Sequence, residues 1–173
     1  MAVREILLLG NPLLNEISSE VLPAERDSLP AIVADLHDTM MDFRRSHGLG
    51  RAIAAPQIGV MKRLVYMNTG EPVVFVNPVL TDMSSDEMEV WDDCMSFPNL
   101  LVRVRRHRSC RIEYLDADWK RRSMDLSGDL SELLQHEYDH LDGILAVERA
   151  IDGRSFALRG SISRFPRRTA REP

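Results

Sequence analysis

The sequence has no long apolar run and few aromatic residues. Only 6% of its 173 residues are aromatic, and none of its apolar stretches approaches the roughly 18 residues that a membrane-spanning helix needs. The short apolar run near the N-terminus follows Arg4 and Glu5 and ends before Pro12, which is unlike a secretory signal. We therefore expect a soluble globular protein without a membrane span.

Cysteine is scarce as well, with two residues in the chain, Cys94 and Cys110. Two cysteines form at most one disulfide, and a chain with no predicted signal is expected in the reducing cytoplasm. Thiols in that compartment act as metal ligands, as nucleophiles or as buried apolar groups. The two cysteines are therefore candidates for chemistry rather than for a disulfide.

Basic residues are outnumbered by acidic ones, with 22 Lys and Arg against 27 Asp and Glu for a net charge of −5. A nucleic-acid binder usually presents a basic surface, so we expect no specific DNA binding. Residues 152–173 hold six Arg, one Asp and one Glu, a net charge of +4, which leaves −9 on residues 1–151. We predict a single domain over residues 1–151 and a basic, flexible tail over residues 152–173.

Apolar spacing predicts one helix early in the chain and several short strands after it. Ile32, Leu36, Met40 and Phe43 recur at helical spacing within residues 30–46. Runs rich in β-formers and bounded by Gly, Asn or Pro predict strands at 63–67, 73–76, 101–105 and 111–115, with a hairpin turn at 116–120. Residues 81–99 are mostly polar and carry no strand prediction.

A second helix is predicted from Ser127 or Asp129 to Gly143. Acidic residues lie in its first turn and a glycine stands just past its end, as is usual for helix termini. A helix, then strands, then a helix is typical of an α+β domain rather than of an alternating βαβ fold.

The segment HEYDH, residues 136–140, carries the strongest chemical signal. Residues four apart on a helix share a face, so His136 and His140 can bind one metal ion. Glu137 lies beside that face and can act as a general base on a water activated by the metal. The alternative is a solvated helix face that carries two incidental histidines.

A third ligand is needed, and the spacing excludes the common choices. A third histidine six residues after the second would complete one known pattern, but Ala146 occupies that position. Cys94 lies between predicted elements and is the favoured third ligand, whereas Cys110 lies inside a predicted strand, where a buried inert thiol is commoner. Two His and one Cys with an open fourth position are typical of a catalytic site rather than a structural one.

A third feature is the segment GRAIAAPQ, residues 50–57. Its small residues allow the backbone to pass close to another group, and Gln57 offers an amide donor beside that passage. Next to a hydrolytic metal, such a donor can stabilise an oxyanion. Taken alone, the segment is also typical of a packing loop.

Together, the three segments resemble the motifs of the peptide deformylases, which follow the order G-x-G-x-A-A-x-Q, E-G-C-L-S and H-E-x-D-H. Here they read GRAIAAPQ (50–57), DDCMS (92–96) and HEYDH (136–140), and the likeness spans roughly residues 5–150. The resemblance implies an α+β fold in which small antiparallel sheets surround a central helix carrying HEYDH, together with an N-terminal helix.

The resemblance also implies roles for individual residues. Cys94, His136 and His140 match the metal ligands, and Glu137 matches the general acid/base. Gln57 and the backbone amide of Met95 match the oxyanion hole. The substrate-binding positions are Gly50, Arg51, Ala52, Asp93 and Leu133, of which Leu133 is expected to face the methionine side chain.

Asp139 matches a position that forms a structural ion pair in the family, with Arg105 or Arg106 as the candidate partner. The implied cofactor is one divalent ion, natively Fe²⁺, with Zn²⁺, Ni²⁺ or Co²⁺ as replacements. A mixed sulfur and nitrogen site accepts all of these.

Two departures from the motifs concern the substrate. Ala52 replaces the second glycine of the first motif, where its methyl group can crowd the substrate. Asp93 replaces the glycine before Cys94, where a glycine often allows an unusual backbone angle or a close approach. Its carboxylate is expected to add negative charge near the metal and to repel an acidic substrate.

The predicted function is removal of the N-formyl group from N-formylmethionyl peptides or nascent chains, with release of formate. One alternative is a deformylase variant that acts on another N-formylated amine or amino-acid derivative. A second is a catalytically degenerate homologue with a binding role. The basic tail is a candidate for weak contact with the ribosome.

Overall fold

The computed structural model describes residues 2–162. Two α-helices, eight strands and five short 3₁₀ helices make up this part of the chain. The helices are α1 (Leu29–His47) and α2 (Asp129–Leu141). The strands are β1 (Ala52–Ala54), β2 (Leu64–Asn68), β3 (Pro72–Thr81), β4 (Glu87–Asp93), β5 (Leu100–His107), β6 (Ser109–Leu115), β7 (Arg121–Ser127) and β8 (Phe156–Leu158).

The strands form two antiparallel sheets. A five-stranded sheet has the order β1-β2-β3-β6-β7, and a three-stranded sheet has the order β4-β5-β8. The pairings between consecutive neighbours are antiparallel throughout. The α+β class, the small antiparallel sheets and the helix at each end of the strand region are as predicted, and the fold class is confirmed.

Strand β2 shows how the five-stranded sheet separates two hydrophobic cores. Successive strand residues point to opposite faces. Leu64 and Tyr66 accordingly belong to the core with α1, whereas Val65 and Met67 belong to the core with α2. Both faces of β2 are therefore buried, and α2 is held against the sheet by apolar contact.

Helix α2 also contacts strand β5 of the second sheet. It therefore lies between the two sheets, in the central position predicted for the helix that carries HEYDH. Ten of its thirteen residues are buried, so its histidines lie inside the protein and not on a solvated face. Gly143, with φ +70°, follows its C-terminus, where a left-handed residue commonly ends a helix.

Strand β4 was not predicted. Its exposed and half-exposed residues include Glu87, Glu89 and Asp93, and so many acidic side chains disguise a strand in a search for apolar alternation. Only Val90 and Asp92 of β4 are buried. Strand β4 forms by pairing with β5 along its whole length, although its own sequence pattern does not indicate a strand. Cys94 follows directly after its last residue.

The structure describes the first eleven residues of the predicted flexible tail, 152–162, and they contain strand β8. Strand β8 pairs with β5 between Leu100–Leu158 and Val102–Phe156, and Ser155 is fully buried. Contact with β5 thus extends ordered structure beyond the predicted boundary at residue 151. The rest of the predicted tail lies outside the described residues.

Among the described residues, no helix is both long enough and apolar enough to cross a membrane.

Candidate metal centre

Helix α2 places two imidazoles side by side. His136 and His140 are one helical turn apart, and their Nε2 atoms lie 3.2 Å from each other. Both side chains are buried, at 5% and 1% exposure. Two nitrogen donors therefore converge in the interior, as the i, i+4 spacing predicts.

Cys94 supplies a sulfur donor to the same point. It follows β4 directly, and its Sγ lies 3.3 Å from Nε2 of His140. Ligand atoms of Cys94, His136 and His140 all lie within 4.8 Å of one another. In residues 2–162, this is the one group of three or more His, Cys, Asp or Glu side chains with metal-binding geometry.

Cys110, the alternative sulfur ligand, does not join this cluster. It is buried within β6 and its Sγ lies 3.5 Å from Ser131 Oγ. Burial raises the pKa of its thiol, which disfavours the thiolate that binds metals. The structure therefore gives Cys110 the buried, inert position and brings only Cys94 to the histidines.

Glu137 lies beside the cluster and is 4% exposed. Burial raises the pKa of its carboxyl to about 7. Its Oε2 has no hydrogen-bond partner among the described residues. A buried polar atom without a partner is unusual in a folded protein and often belongs to a site with a reactive or binding role.

Gln57 is fully buried and its side chain has a fixed orientation. The Oε1 atom accepts a hydrogen bond from the backbone N–H of Ala54 at 3.0 Å. The Nε2 atom consequently points towards Cys94 Sγ, at 3.5 Å, and Ser96 Oγ, at 3.3 Å. The side-chain amide of Gln57 thus lies beside Cys94, at the edge of the group of candidate metal ligands.

Met95 follows Cys94 in the turn after β4. Its side chain packs in the core with α1, where its sulfur approaches Gly50. Gly50 has φ +111°, and a Cβ there would lie 3.5 Å from Met95 Sδ and Met40. The positive φ therefore favours a glycine at this position, whereas these distances are ordinary van der Waals contacts.

Asp92 fixes the outer side of His136. Its Oδ1 lies 2.8 Å from His136 Nδ1, and its Oδ2 accepts a hydrogen bond from Arg106 Nη2 at 2.9 Å. Burial opposes the charge of Asp92, but His136 and Arg106 outweigh it and hold the pKa of this carboxyl well below its usual range. A carboxylate behind a histidine orients the ring and presents the other nitrogen to a metal.

The pKa values of the two imidazoles shift in opposite directions. Burial lowers the pKa of His140 well below its ordinary value, and the nearby His136 lowers it further. Burial also opposes the charge of His136, but Asp92 overcomes this and raises its pKa. A neutral imidazole is the form that binds a metal, and His140 is held in that form.

The predicted partner of Asp139 is Arg106 and not Arg105. Arg106 bridges Asp92 and Asp139 in the interior, whereas Arg105 pairs with Glu89 on the surface. Arg149 adds a second cation, with its Nε and Nη2 donating to Asp139 at 2.8 and 2.6 Å. Arg149 was not anticipated from the sequence, because no motif marks it.

A cavity lined by described residues connects the cluster to the surface, with about 690 Å³ of space including its open mouth. Phe43, Leu49 and Leu133 supply apolar wall. The metal-ligand candidates Cys94 and His136 line the same space, as does Glu137. The remaining predicted substrate-binding residues also line it: Gly50, Arg51, Ala52 and Asp93. The structure therefore brings all the predicted substrate-binding residues to one cavity.

Two ion pairs also lie in the cavity wall, and the sequence indicated neither. Arg51 Nη2 lies 3.3 Å from Glu132 Oε2, and Arg159 Nη2 lies 2.7 Å from Asp93 Oδ2. The partners are 81 and 66 positions apart in the chain, so only the tertiary structure reveals them.

Asp93 needs no glycine-like backbone. It is the last residue of β4, pairs with Leu101 of β5 and is absent from the positive-φ residues. The unusual backbone angle that a glycine often allows is therefore not used at this position. Its expected negative charge is present, but Arg159 is paired with it.

Family and fold comparisons agree with this geometry. The family model "Polypeptide deformylase" matches residues 3–155. Peptide deformylase 1 of Prochlorococcus marinus is 36% identical, with the alignment covering 94% of this chain and 88% of that protein. A peptide deformylase of Brucella suis is 34% identical over 86% of this chain and 85% of its own length.

Solved structures give the same result. The Thermotoga maritima peptide deformylase superposes with a TM-score of 0.81 at 25% identity, covering 88% of this chain and all of that chain. The Legionella pneumophila enzyme gives 0.79 at 35% identity, covering 86% of each chain. Membership of the family and the Cys94, His136 and His140 cluster together support one bound metal ion. The chain belongs to the polypeptide deformylase family.

Proposed function

We propose that this chain is an amide hydrolase that removes the N-formyl group from N-formylmethionyl peptides and releases formate. The observation that carries the proposal is one buried site that holds two nitrogen donors, one sulfur donor, a general base and an amide donor. The family relatives support the same activity.

The donor set fits a single divalent metal ion. Cys94, His136 and His140 present one sulfur and two nitrogen atoms to a common point, and the adjacent cavity leaves room for further ligands. We propose Fe²⁺, the ion that the family resemblance implies, as the native metal, and the mixed donor set also accepts Zn²⁺, Ni²⁺ or Co²⁺ as replacements. When bound, such an ion polarises a carbonyl oxygen and lowers the pKa of water.

Glu137 is assigned the proton transfers. Its carboxylate takes a proton from the attacking water as the water oxygen bonds to the formyl carbon. It then gives that proton to the amine nitrogen as the carbon–nitrogen bond breaks. The products are formate and a peptide with a free N-terminus, so atoms and charge balance.

Gln57 and the backbone N–H of Met95 are assigned to the formyl oxygen. Negative charge develops on this oxygen when the carbon becomes tetrahedral, and donors fixed beforehand stabilise it. The hydrogen bond from Ala54 N–H to Gln57 Oε1 holds the amide in place before substrate arrives. Met95 follows Cys94 directly, so its N–H lies close to the donor cluster.

Apolar residues of the cavity suit a methionine side chain. Leu133 lies one turn before His136 on α2 and lines the cavity together with Phe43 and Leu49. Nascent chains that begin with formylmethionine are made in the cytoplasm, which is where we place this activity. Contact between the basic tail and the ribosome stays a prediction.

A second candidate is hydrolysis of a different N-formylated amine or amino-acid derivative. The observation in its favour is the Arg51–Glu132 pair, which places two charged side chains in the cavity wall at 15% and 3% exposure. A polar side chain on the substrate could interact with this pair. The formate-release assay described next separates the two candidates.

The test is formate release by the anaerobic protein loaded with Fe²⁺. Formyl-Met-Ala-Ser is offered beside formylated amines that lack a peptide, and formate is measured with a coupled dehydrogenase. We expect release from the peptide. Release only from the other amines would favour the second candidate, and no release from any substrate by the metal-loaded protein would contradict both.

Glu137→Gln is the matched variant because it keeps the size of the side chain and removes the base. We expect formate release to fall by at least about 100-fold, with Co²⁺ still bound as judged by its visible absorption. A variant with full activity would remove Glu137 from the mechanism.

A further inference from the structure

The Asp93–Arg159 pair lies in the wall of the cavity that leads to the candidate metal ligands. Both residues line the cavity that reaches Cys94, His136 and Glu137. Their side chains are 30% and 28% exposed, whereas His136 and Glu137 are 5% and 4% exposed. This gradient places the pair at the mouth and the metal-ligand candidates at the bottom.

Arg159 is held at the mouth by several contacts. Its backbone N–H donates to Asn99 O at 2.9 Å, and its Nε donates to Pro98 O at 3.0 Å. Its Nη2 donates to Asp93 Oδ2 at 2.7 Å. The pairing of β8 with β5 leads the chain directly to this position. The guanidinium is thus fixed by both main chain and side chain.

The effect of the Asp93 carboxylate on charged substrates depends on Arg159. A lone carboxylate at the mouth would attract cationic and repel anionic peptides, because a low-dielectric cleft focuses the field of a charge. A guanidinium 2.7 Å away supplies the compensating charge. The C-terminal segment therefore contributes a charge that the motif around Cys94 lacks.

We propose that Arg159 is a specificity-determining residue, which neutralises Asp93 and thereby lets the site accept peptides of either charge after the formylmethionine. This inference rests on the proposed deformylase function. The C-terminal segment up to Arg159 is then a part of the substrate site rather than an appendage.

The test measures a charge-selectivity ratio. It is kcat/KM for formyl-Met-Lys-Ser divided by kcat/KM for formyl-Met-Glu-Ser, with formyl-Met-Gln-Ser as the neutral reference. Arg159→Gln leaves the Asp93 charge uncompensated and raises the ratio roughly five- to tenfold at low salt. Asp93→Asn removes the carboxylate and keeps the guanidinium of Arg159 at the mouth, which lowers the ratio by a similar factor.

The double variant D93N/R159Q carries neither charge, and its ratio returns to within about twofold of the unaltered protein. Arg111→Gln is the matched control, since Arg111 forms an exposed pair with Asp125 on β6 and β7 and does not line the cavity. It leaves the ratio unchanged. An unchanged ratio in both single variants, or an equal loss of activity on all three peptides, would overturn the proposal.

Charge preference can also be measured without turnover. The affinities of the Co²⁺-loaded protein for the deformylated products Met-Lys-Ser and Met-Glu-Ser give a second ratio, which should change in the same direction in each variant. If no formylated peptide is hydrolysed, the proposed function fails, yet the ratio of product affinities still tests the role of Arg159. Formate release with an unchanged ratio would refute the role of Arg159 alone.

Discussion

Two neighbouring aspartates on β4, Asp92 and Asp93, lie in different surroundings. Asp92 is 1% exposed and contacts His136 and Arg106 in the interior. Asp93 points to the cavity mouth, where its side chain is 30% exposed and pairs with Arg159. One step along a strand reverses the direction of the side chain, so the same residue type occurs in two electrostatic environments.

The comparison shows how burial changes the consequence of an ion pair. A buried pair with one partner removed leaves an uncompensated charge in a low dielectric, which is strongly destabilising. A pair that water reaches contributes little to stability. We therefore expect Asp92 to affect stability and metal binding, and Asp93 to affect the charge of the substrate that is accepted.

The largest effect is expected for Asp92→Asn. It deprives buried Arg106 of one carboxylate and His136 of its orienting contact. Because Asp139 still compensates part of the Arg106 charge, the free energy of unfolding falls by about 2–3 kcal/mol, and affinity for Co²⁺ falls about 10- to 100-fold. Urea unfolding of the metal-free protein and a Co²⁺ titration measure the two quantities.

Asp93→Asn is the control on the same strand. Its free energy of unfolding should change by less than about 1 kcal/mol, and its Co²⁺ affinity should stay within a few-fold. Equal destabilisation by the two substitutions would remove the distinction between the interior and the mouth.

A smaller effect is expected for Arg149→Gln. Arg149 is a half-exposed partner of Asp139, and Arg106 remains to compensate the buried carboxylate. The free energy of unfolding falls by about 1 kcal/mol. Arg105→Gln, at the exposed pair with Glu89, should change the free energy of unfolding by less than about 0.5 kcal/mol. A loss from Arg149→Gln as large as that from Asp92→Asn would show that exposure does not govern these pairs.

The smallest effect concerns salt. In Arg159→Gln, the charge-selectivity ratio should fall by about half or more between low salt and about 0.5 M NaCl, because the Debye length shortens to a few ångströms. The unaltered protein should show little change over the same range. A ratio in the variant that does not respond to salt would indicate a contact other than the exposed charge.

The sequence predicted the centre better than its surroundings. The spacing of His136 and His140 determines their common face on any helix, and α2 forms within a residue or two of its predicted start. Cys94 was selected as the favoured ligand because it lay outside a predicted strand. The structure places it at a strand end, where the turn after β4 brings its sulfur to the histidines.

The unpredicted parts depend on contacts between distant segments. Strand β4 is polar on its outer face and forms by pairing with β5. Strand β8 has three residues, too few for a periodic signal, and also depends on β5. Arg149 and Arg159 reach their carboxylates only after the chain has folded, so no local pattern identifies them.

The most direct measurement is a Co²⁺ titration of the metal-free protein followed by absorption spectroscopy. We predict one equivalent bound, with a thiolate-to-cobalt charge-transfer band that is lost in Cys94→Ser and retained in Cys110→Ser. Cys110 is the matched control because it is buried in β6, away from the histidines. Loss of the band in Cys110→Ser, or its retention in Cys94→Ser, would contradict the assignment of the metal centre.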